Sequence, residues 1–174
     1  MDFMNHKEKT FRVNKNNDVG TVLLLPYEDE KYNFFYLMRN ESSTLEQMRN
    51  DLTADKLMNI LKNAVNSFAD ISVPKFKVES ELDGVELLTK LGVKKVFEDG
   101  ADLSKISSTP LKVGKIQHNA VIEVDEAGTE AAAASTVVEY EIEMGFDGEV
   151  ERIIIDRPFL YGIIRDDEDV IFLG

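Results

Sequence analysis

The chain of 174 residues sets 20 Lys and Arg against 33 Asp and Glu, a formal net charge of −13, and 43% of its residues are hydrophobic. That balance is globular and too apolar for a disordered acidic tail. The negative charge argues against nucleic acid or an anionic membrane surface as partner, because both are recognised through clustered Lys and Arg. With no cysteine there are no disulfides, thiolate metal sites or cysteine nucleophile. Two histidines, His6 and His118, are too few for a histidine-rich metal site, so no metal and no cofactor are expected.

No apolar run approaches the roughly 20 residues that span a bilayer. Met1 to His6 lack the apolar stretch of a secretory signal. The expectation is therefore a cytoplasmic protein if the chain is complete, and an extracellular one if a preceding portion with a signal has been lost.

In chain order, Gly20 to Leu25 is a continuous apolar run closed by Pro26 and predicts a buried strand. Glu28 to Lys31 then turn the chain into Tyr32–Met38, and two β-rich runs around a charged turn predict an antiparallel hairpin. Ser43 and Glu46 have capping-box spacing and open a short helix to about Leu52. Thr53 caps a second helix, with Leu57, Ile60, Leu61 and Val65 on one face. Ile71 to Val78 form a strand whose apolar parity slips around Pro74, which reads as a bulge or a sheet edge.

Asp83 opens an amphipathic helix carrying Val85, Leu88 and Leu91, and Gly92 with Val93 suits a left-handed cap. Glu98–Gly100 and Ser107–Pro110 read as a turn and a loop. Ile116, His118, Ala120, Ile122 and Val124 share one face of the cleanest strand in the sequence. Asp147-Gly148 reads as a turn. Two strands close the chain, Phe159–Ile164 and Val170–Leu173, around the acidic turn Arg165–Asp169. Strands and helices mix irregularly, without a repeat or a low-complexity linker, which predicts an α+β fold in a single domain over 1–174.

Residues 126–138 read Glu-Ala-Gly-Thr-Glu-Ala-Ala-Ala-Ala-Ser-Thr-Val-Val. Alanine favours helix, but four adjacent alanines give no apolar stripe and β-branched residues follow at once. Taken alone, the segment fits a helix, a loop or a strand.

Glu126 to Ser135 resembles the hinge of the reactive-centre loop in serpins, and neighbouring motifs agree in order. These are Leu25-Pro26 before a hairpin, Val73-Pro74-Lys75-Phe76, Leu91-Gly92-Val93 with Phe97, Gly100-Ala101-Asp102-Leu103-Ser104, Asp156-Arg157-Pro158-Phe159-Leu160 and Ile171-Phe172-Leu173-Gly174. The resemblance implies the C-terminal half of the serpin fold, with mixed and antiparallel sheets, a few helices and an exposed loop at about 126–150. It also implies a protein that is not an enzyme but inhibits serine, or sometimes cysteine, proteases as a suicide substrate.

On that resemblance the hinge comprises Glu126, Gly128, Thr129, Glu130, Ala131, Ala132, Ala133, Ala134 and Ser135. The family's loop spacing puts the reactive bond between Ile142 and Glu143, with Tyr140 or Met144 as alternative positions, and these residues imply a protease with an apolar primary pocket. His118 resembles the histidine where the serpin sheet opens, against a plain reading as a satisfied core histidine. The chain departs from the family pattern in lacking tryptophan, in placing Ala127 where a charge is commoner, and in lacking one of the two strands between which the loop inserts. The alternative function is a truncated, non-inhibitory module that binds, or self-associates, through an exposed sheet edge.

A third reading, an acidic cation-binding protein at Asp166–Asp169, lacks EF-hand spacing. Asn40-Glu41-Ser42 matches a glycosylation acceptor for a secreted chain.

Overall fold

The computed structural model describes residues 2–29, 31–125 and 150–174. Its chain order is β1 (Phe3–Asn14), β2 (Gly20–Pro26), β3 (Tyr32–Arg39), α1 (Leu45–Asp51), α2 (Ala54–Lys62), β4 (Val65–Pro74), β5 (Phe76–Asp83), α3 (Gly84–Lys90), β6 (Gln117–Val124), β7 (Glu151–Ile154), β8 (Phe159–Arg165) and β9 (Asp169–Leu173). The described residues form a seven-stranded sheet, ordered β7-β4-β1-β2-β3-β8-β9, and a two-stranded sheet of β5 and β6. The architecture is α+β, as the mixture of periodicities predicts. The chain divides into two compact units, residues 1–76 with 124–174, and residues 77–123.

The first unit is built around the expected hairpin. β2 and β3 pair antiparallel from Gly20 with Arg39 to Pro26 with Asn33. Both strands bury both faces: Leu23, Leu24, Phe34, Phe35, Tyr36 and Leu37 are all fully buried, which is why the sequence shows unbroken apolar runs there and not alternation. On one face, Val22, Leu24, Phe35 and Leu37 meet Met48 of α1, Leu57, Ile60 and Leu61 of α2, and Ile164 of β8. On the other, Phe34 and Tyr36 join Phe159, Tyr161 and Phe76 in a run of edge-on and tilted ring contacts. Burial pushes the Tyr36 phenol far above its ordinary pKa, and its hydroxyl reaches the Pro74 carbonyl at 3.5 Å.

Several expectations shift. The α1 capping box is made by Thr44 and Gln47, one residue beyond Ser43 and Glu46: the Thr44 hydroxyl accepts from the Gln47 N–H at 3.1 Å, and the Gln47 side chain accepts from the Thr44 N–H at 2.8 Å. Thr53 caps α2 as expected. Val65 does not continue that helix, because the chain leaves it at Asn63 and Val65 opens β4, where it is 66% exposed.

Pro74 marks neither a bulge nor a sheet edge. It ends β4, which lies between β1 and β7, and the parity slip is the passage from the large sheet into β5 of the small one. Lacking an N–H, proline suits the last position of a strand that must leave its ladder.

Two strands lie outside the sequence expectations. β1 is concealed because its ladder with β4 slips between His6 and Lys9, where Glu8 takes φ 53°. The buried positions therefore change parity from Met4 to Phe11 and Val13, and no single period runs through the segment. β7 is a short edge strand parallel to β4. The closing hairpin of β8 and β9 forms as expected. Its turn places Asp166 and Asp167 at φ 50° and 55°, and the Glu168 N–H donates to the Arg165 carbonyl at 2.9 Å, which is a type I′ geometry.

In the second unit, Asp83 caps α3 through the N–H groups of Val85 and Glu86. Gly92 ends it at φ 94°, its N–H donating to the Thr89 carbonyl at 3.0 Å while the Val93 N–H donates to the Leu88 carbonyl at 2.9 Å. This is the left-handed cap read from Gly92-Val93. The α3 face is weaker than expected: Val85 and Leu88 are half-buried, and Leu91 is 71% exposed. No described helix is long and apolar enough to cross a membrane.

Gly20 tests the hairpin packing. A Cβ there would overlap the Met38 carbonyl oxygen and crowd the Arg39 backbone, so neither neighbour can yield by rotating a side chain. Gly20→Ala is expected to lower unfolding free energy by about 2 kcal/mol, read from the denaturant midpoint at constant slope. A loss below roughly 0.5 kcal/mol, the ordinary surface value, would contradict this packing.

Candidate functional site

The site implied by the sequence is a segment and the strands that carry it. The hinge residues Glu126, Gly128, Thr129, Glu130, Ala131–Ala134 and Ser135, the Ile142–Glu143 bond with its alternatives at Tyr140 and Met144, and the Asp147-Gly148 turn all lie outside the described residues. Their flanking strands are described: β6 leads into the segment and β7 leaves it.

β6 keeps its expected parity where it is covered. Ile122 and Val124 are buried, Ala120 is half-buried, and Val121, on the opposite parity, is 59% exposed. Its contacts with β5 run from Lys77 Nζ–Glu123 Oε2 (3.6 Å) to Gln117 Nε2–Glu81 Oε1 (2.8 Å), so the two strands are antiparallel. Among the described residues β6 has a strand neighbour only on its β5 side. His118 shares the parity of Ile122 but is exposed, which corrects its reading as a core histidine. It stands near the start of β6, on a two-stranded sheet, where no further strand covers it among the described residues.

β7 is held at its first residue. The Glu151 carboxylate accepts from Lys15 Nζ at 2.5 Å and from the Ser67 hydroxyl at 3.0 Å. The Lys15 hydrogen bond holds the Glu151 carboxyl below its ordinary pKa; burial opposes it, and the Ser67 hydrogen bond adds to it. Sequence reasoning passed over this anchor because Lys15, Ser67 and Glu151 are brought together only by the β1-β4-β7 order. Further on, Arg157 of the Asp156-Arg157-Pro158 motif meets Glu41 at 3.3 Å and Asp156 at 3.4 Å. It ties the approach to β8 to the turn after β3.

The acidic turn does not gather its carboxylates around a common point. Asp167 takes Arg12 through both oxygens at 2.7 and 2.9 Å, and Asp169 takes Arg165 at 2.5 Å. No group of three or more His, Asp or Glu side chains among the described residues is placed to hold a metal ion.

Comparison with known proteins places these strands in a family. The family model of serpins, described as serine protease inhibitors, matches residues 1–174. The chain is 38% identical over 167 residues to Iripin-3 of Ixodes ricinus, covering 94% of this chain and 42% of that protein. It is 35% identical over 154 residues to the plasma serine protease inhibitor of Bos taurus, covering 88% and 37%. The crystal structure of mouse protein-Z dependent protease inhibitor superposes with a TM-score of 0.78 at 26% identity, over 99% of this chain and 44% of that one. The chain thus spans about two fifths of the length of the relatives it matches.

The depressed Glu151 pKa fixes a sign. A carboxyl whose folded pKa lies below its unfolded value stabilises the fold above the unfolded pKa, and loses that contribution as pH falls through the folded value. Glu151→Gln is therefore expected to destabilise the chain at pH 7 by less than about 1 kcal/mol, because the pair is partly exposed and screened. The difference from the parent should be smaller at pH 3 than at pH 7 in paired denaturant titrations. A difference of equal size at both pH values would contradict the assignment.

The matched family model over the whole chain, the relatives above 30% identity and the shared fold together establish that this chain belongs to the serpin family.

Proposed function

We propose that this chain carries the reactive-centre loop of a serine protease inhibitor that acts as a suicide substrate. Serpins are protease inhibitors at the family level, and the finer reading rests on one observation, the side-chain alternation of residues 128–137. In a strand, alternate residues face one side, so on insertion Thr129, Ala131, Ala133, Ser135 and Val137 would turn inward together while Glu130 would face water. Every inward member is small or apolar, and none brings a charge into an interior where it would go unpaired. Gly128 supplies the pivot.

The chemistry belongs to the protease, a serine enzyme or sometimes a cysteine one. It attacks the carbonyl of Ile142 and forms an acyl-enzyme, and insertion of the hinge as a strand beside β6 then displaces the protease before water completes hydrolysis. About ten new backbone hydrogen bonds, at roughly 0.5–1.5 kcal/mol net each, release on the order of 10 kcal/mol. An apolar primary pocket fits Ile142 and equally the alternatives Tyr140 and Met144. The inserting strand needs a neighbour on each side, and the described residues supply β6 alone. Inhibition is therefore expected when the segment that the longer relatives contain, and these 174 residues do not match, is also supplied.

The single-partnered β6 also favours a second reading, in which the chain binds another strand or a second copy of itself at that edge and inhibits nothing.

Incubation with elastase-like and chymotrypsin-like proteases, with and without the complementary N-terminal segment of a relative, separates the two. The first reading predicts a detergent-stable covalent complex when the segment is present and a C-terminal fragment beginning at Glu143, which carries β7 to β9 and separates from the complex only under the denaturing detergent. It also predicts that Thr129→Arg lowers complex yield at least tenfold while cleavage continues. Cleavage without complex under every condition, together with concentration-dependent association, would support the second reading and overturn the first. A cut after Lys or Arg would remove the apolar-pocket assignment.

A further inference from the structure

Although the chain as a whole is strongly acidic, one concavity in its first unit has cationic walls. A cavity of about 210 Å³ lies across β1, β4 and β7 and is lined by His6, Lys7, Asp70, Ser72 and Arg152, among others. The β1 bulge shapes it. Glu8, at φ 53°, donates its N–H to Asp70 Oδ1 at 2.8 Å, and the slip in the ladder takes Lys7 out of the regular alternation.

The cations around this region are not in equivalent states. Lys15 is taken by Glu151, and Arg157 by Glu41 and Asp156. Lys7 and Arg152 are exposed and form no ion pair among the described residues. Arg152 stands in register with Asp70 on the neighbouring strand, yet the Asp70 contact shown is with a backbone N–H through one oxygen.

We propose that this cavity docks a carboxylate-bearing peptide segment of a partner protein. Lys7 on β1 and Arg152 on β7 are separated by two strand intervals, about 10 Å at ~4.8 Å each. An extended chain, rising about 3.3 Å per residue, covers that distance in three residues, so carboxylates three apart match it. Asp70, between them, disfavours a compact dianion by like-charge repulsion. It suits a peptide, whose backbone N–H can approach the second Asp70 oxygen. The cavity also borders the first turn of chain after residues 126–149, so a protein engaged at that segment is held next to β7. The proposal does not depend on loop insertion.

The test is a titration of the isotope-labelled full chain, followed by amide resonances, with acetyl-tetraglutamate amide as probe. The tetraglutamine peptide and inorganic phosphate are the controls. The tetraglutamate peptide should shift the resonances of Asn5, His6, Lys7, Ser72 and Arg152, and the Lys7→Gln, Arg152→Gln double variant should weaken that binding at least fivefold. Both substitutions are on exposed side chains, and unchanged spectra elsewhere would establish that the fold is kept. Equal binding by the double variant, equal response to tetraglutamine, or saturation of the same resonances by phosphate alone would each overturn the proposal.

Discussion

A strand exposes a row of N–H and C=O groups along each edge, and each row must find protein or water. That constraint organises the functional reading of this chain. β6 meets it with β5 on one side only among the described residues. A strand offered to its other edge would gain a ladder. Over 128–137 the residues that follow β6 in sequence are small or apolar on one parity, and the single charge, Glu130, falls on the other. The proposed function joins these as two halves of one requirement: an edge that can be paired, and a ribbon able to pair with it.

The first unit provides the fixed frame. Its hairpin buries both faces, its helices are capped by Thr44 and Thr53, and its last two strands close on a tight acidic turn held by arginines. The described chain resumes at β7, whose first carboxylate is secured by Lys15 and Ser67. On the proposed function, such an anchor would pass load on the preceding segment to a paired strand and not to free chain. The second unit is built differently: eight of the large apolar side chains exposed in the molecule fall within residues 77–123, from Val78 to Val121.

What could be read from the sequence follows from whether one period governed a segment. Leu23 to Leu25 and Phe34 to Leu37 announced buried strands because both faces of each are covered, and Gly92-Val93 announced its cap because only a few residue types tolerate positive φ. β1 escaped because Glu8 interrupts the alternation, and because it closes on the polar Asn14, which is buried, with its side chain donating to the Ile60 carbonyl at 2.9 Å. The slip at Pro74 was visible but ambiguous, since a change of sheet and a bulge leave the same trace in one dimension. For the functional site, a hinge was readable as an expectation through likeness to a family, on residues outside the described ones. The Lys15–Glu151 anchor and the cations Lys7 and Arg152 were not, because pairs joined only through strand order leave no local signal.

The central claim is that a ribbon with the alternation of residues 126–139 can occupy the open edge of β6. Hydrogen exchange of the β6 amides, measured with and without a synthetic peptide of that sequence, tests it most directly. The account predicts slowed exchange at alternate residues between Gln117 and Val124, and loss of that protection when the peptide carries Arg at the position of Thr129. Unchanged exchange with the unmodified peptide, or equal protection by the arginine-bearing one, would contradict it.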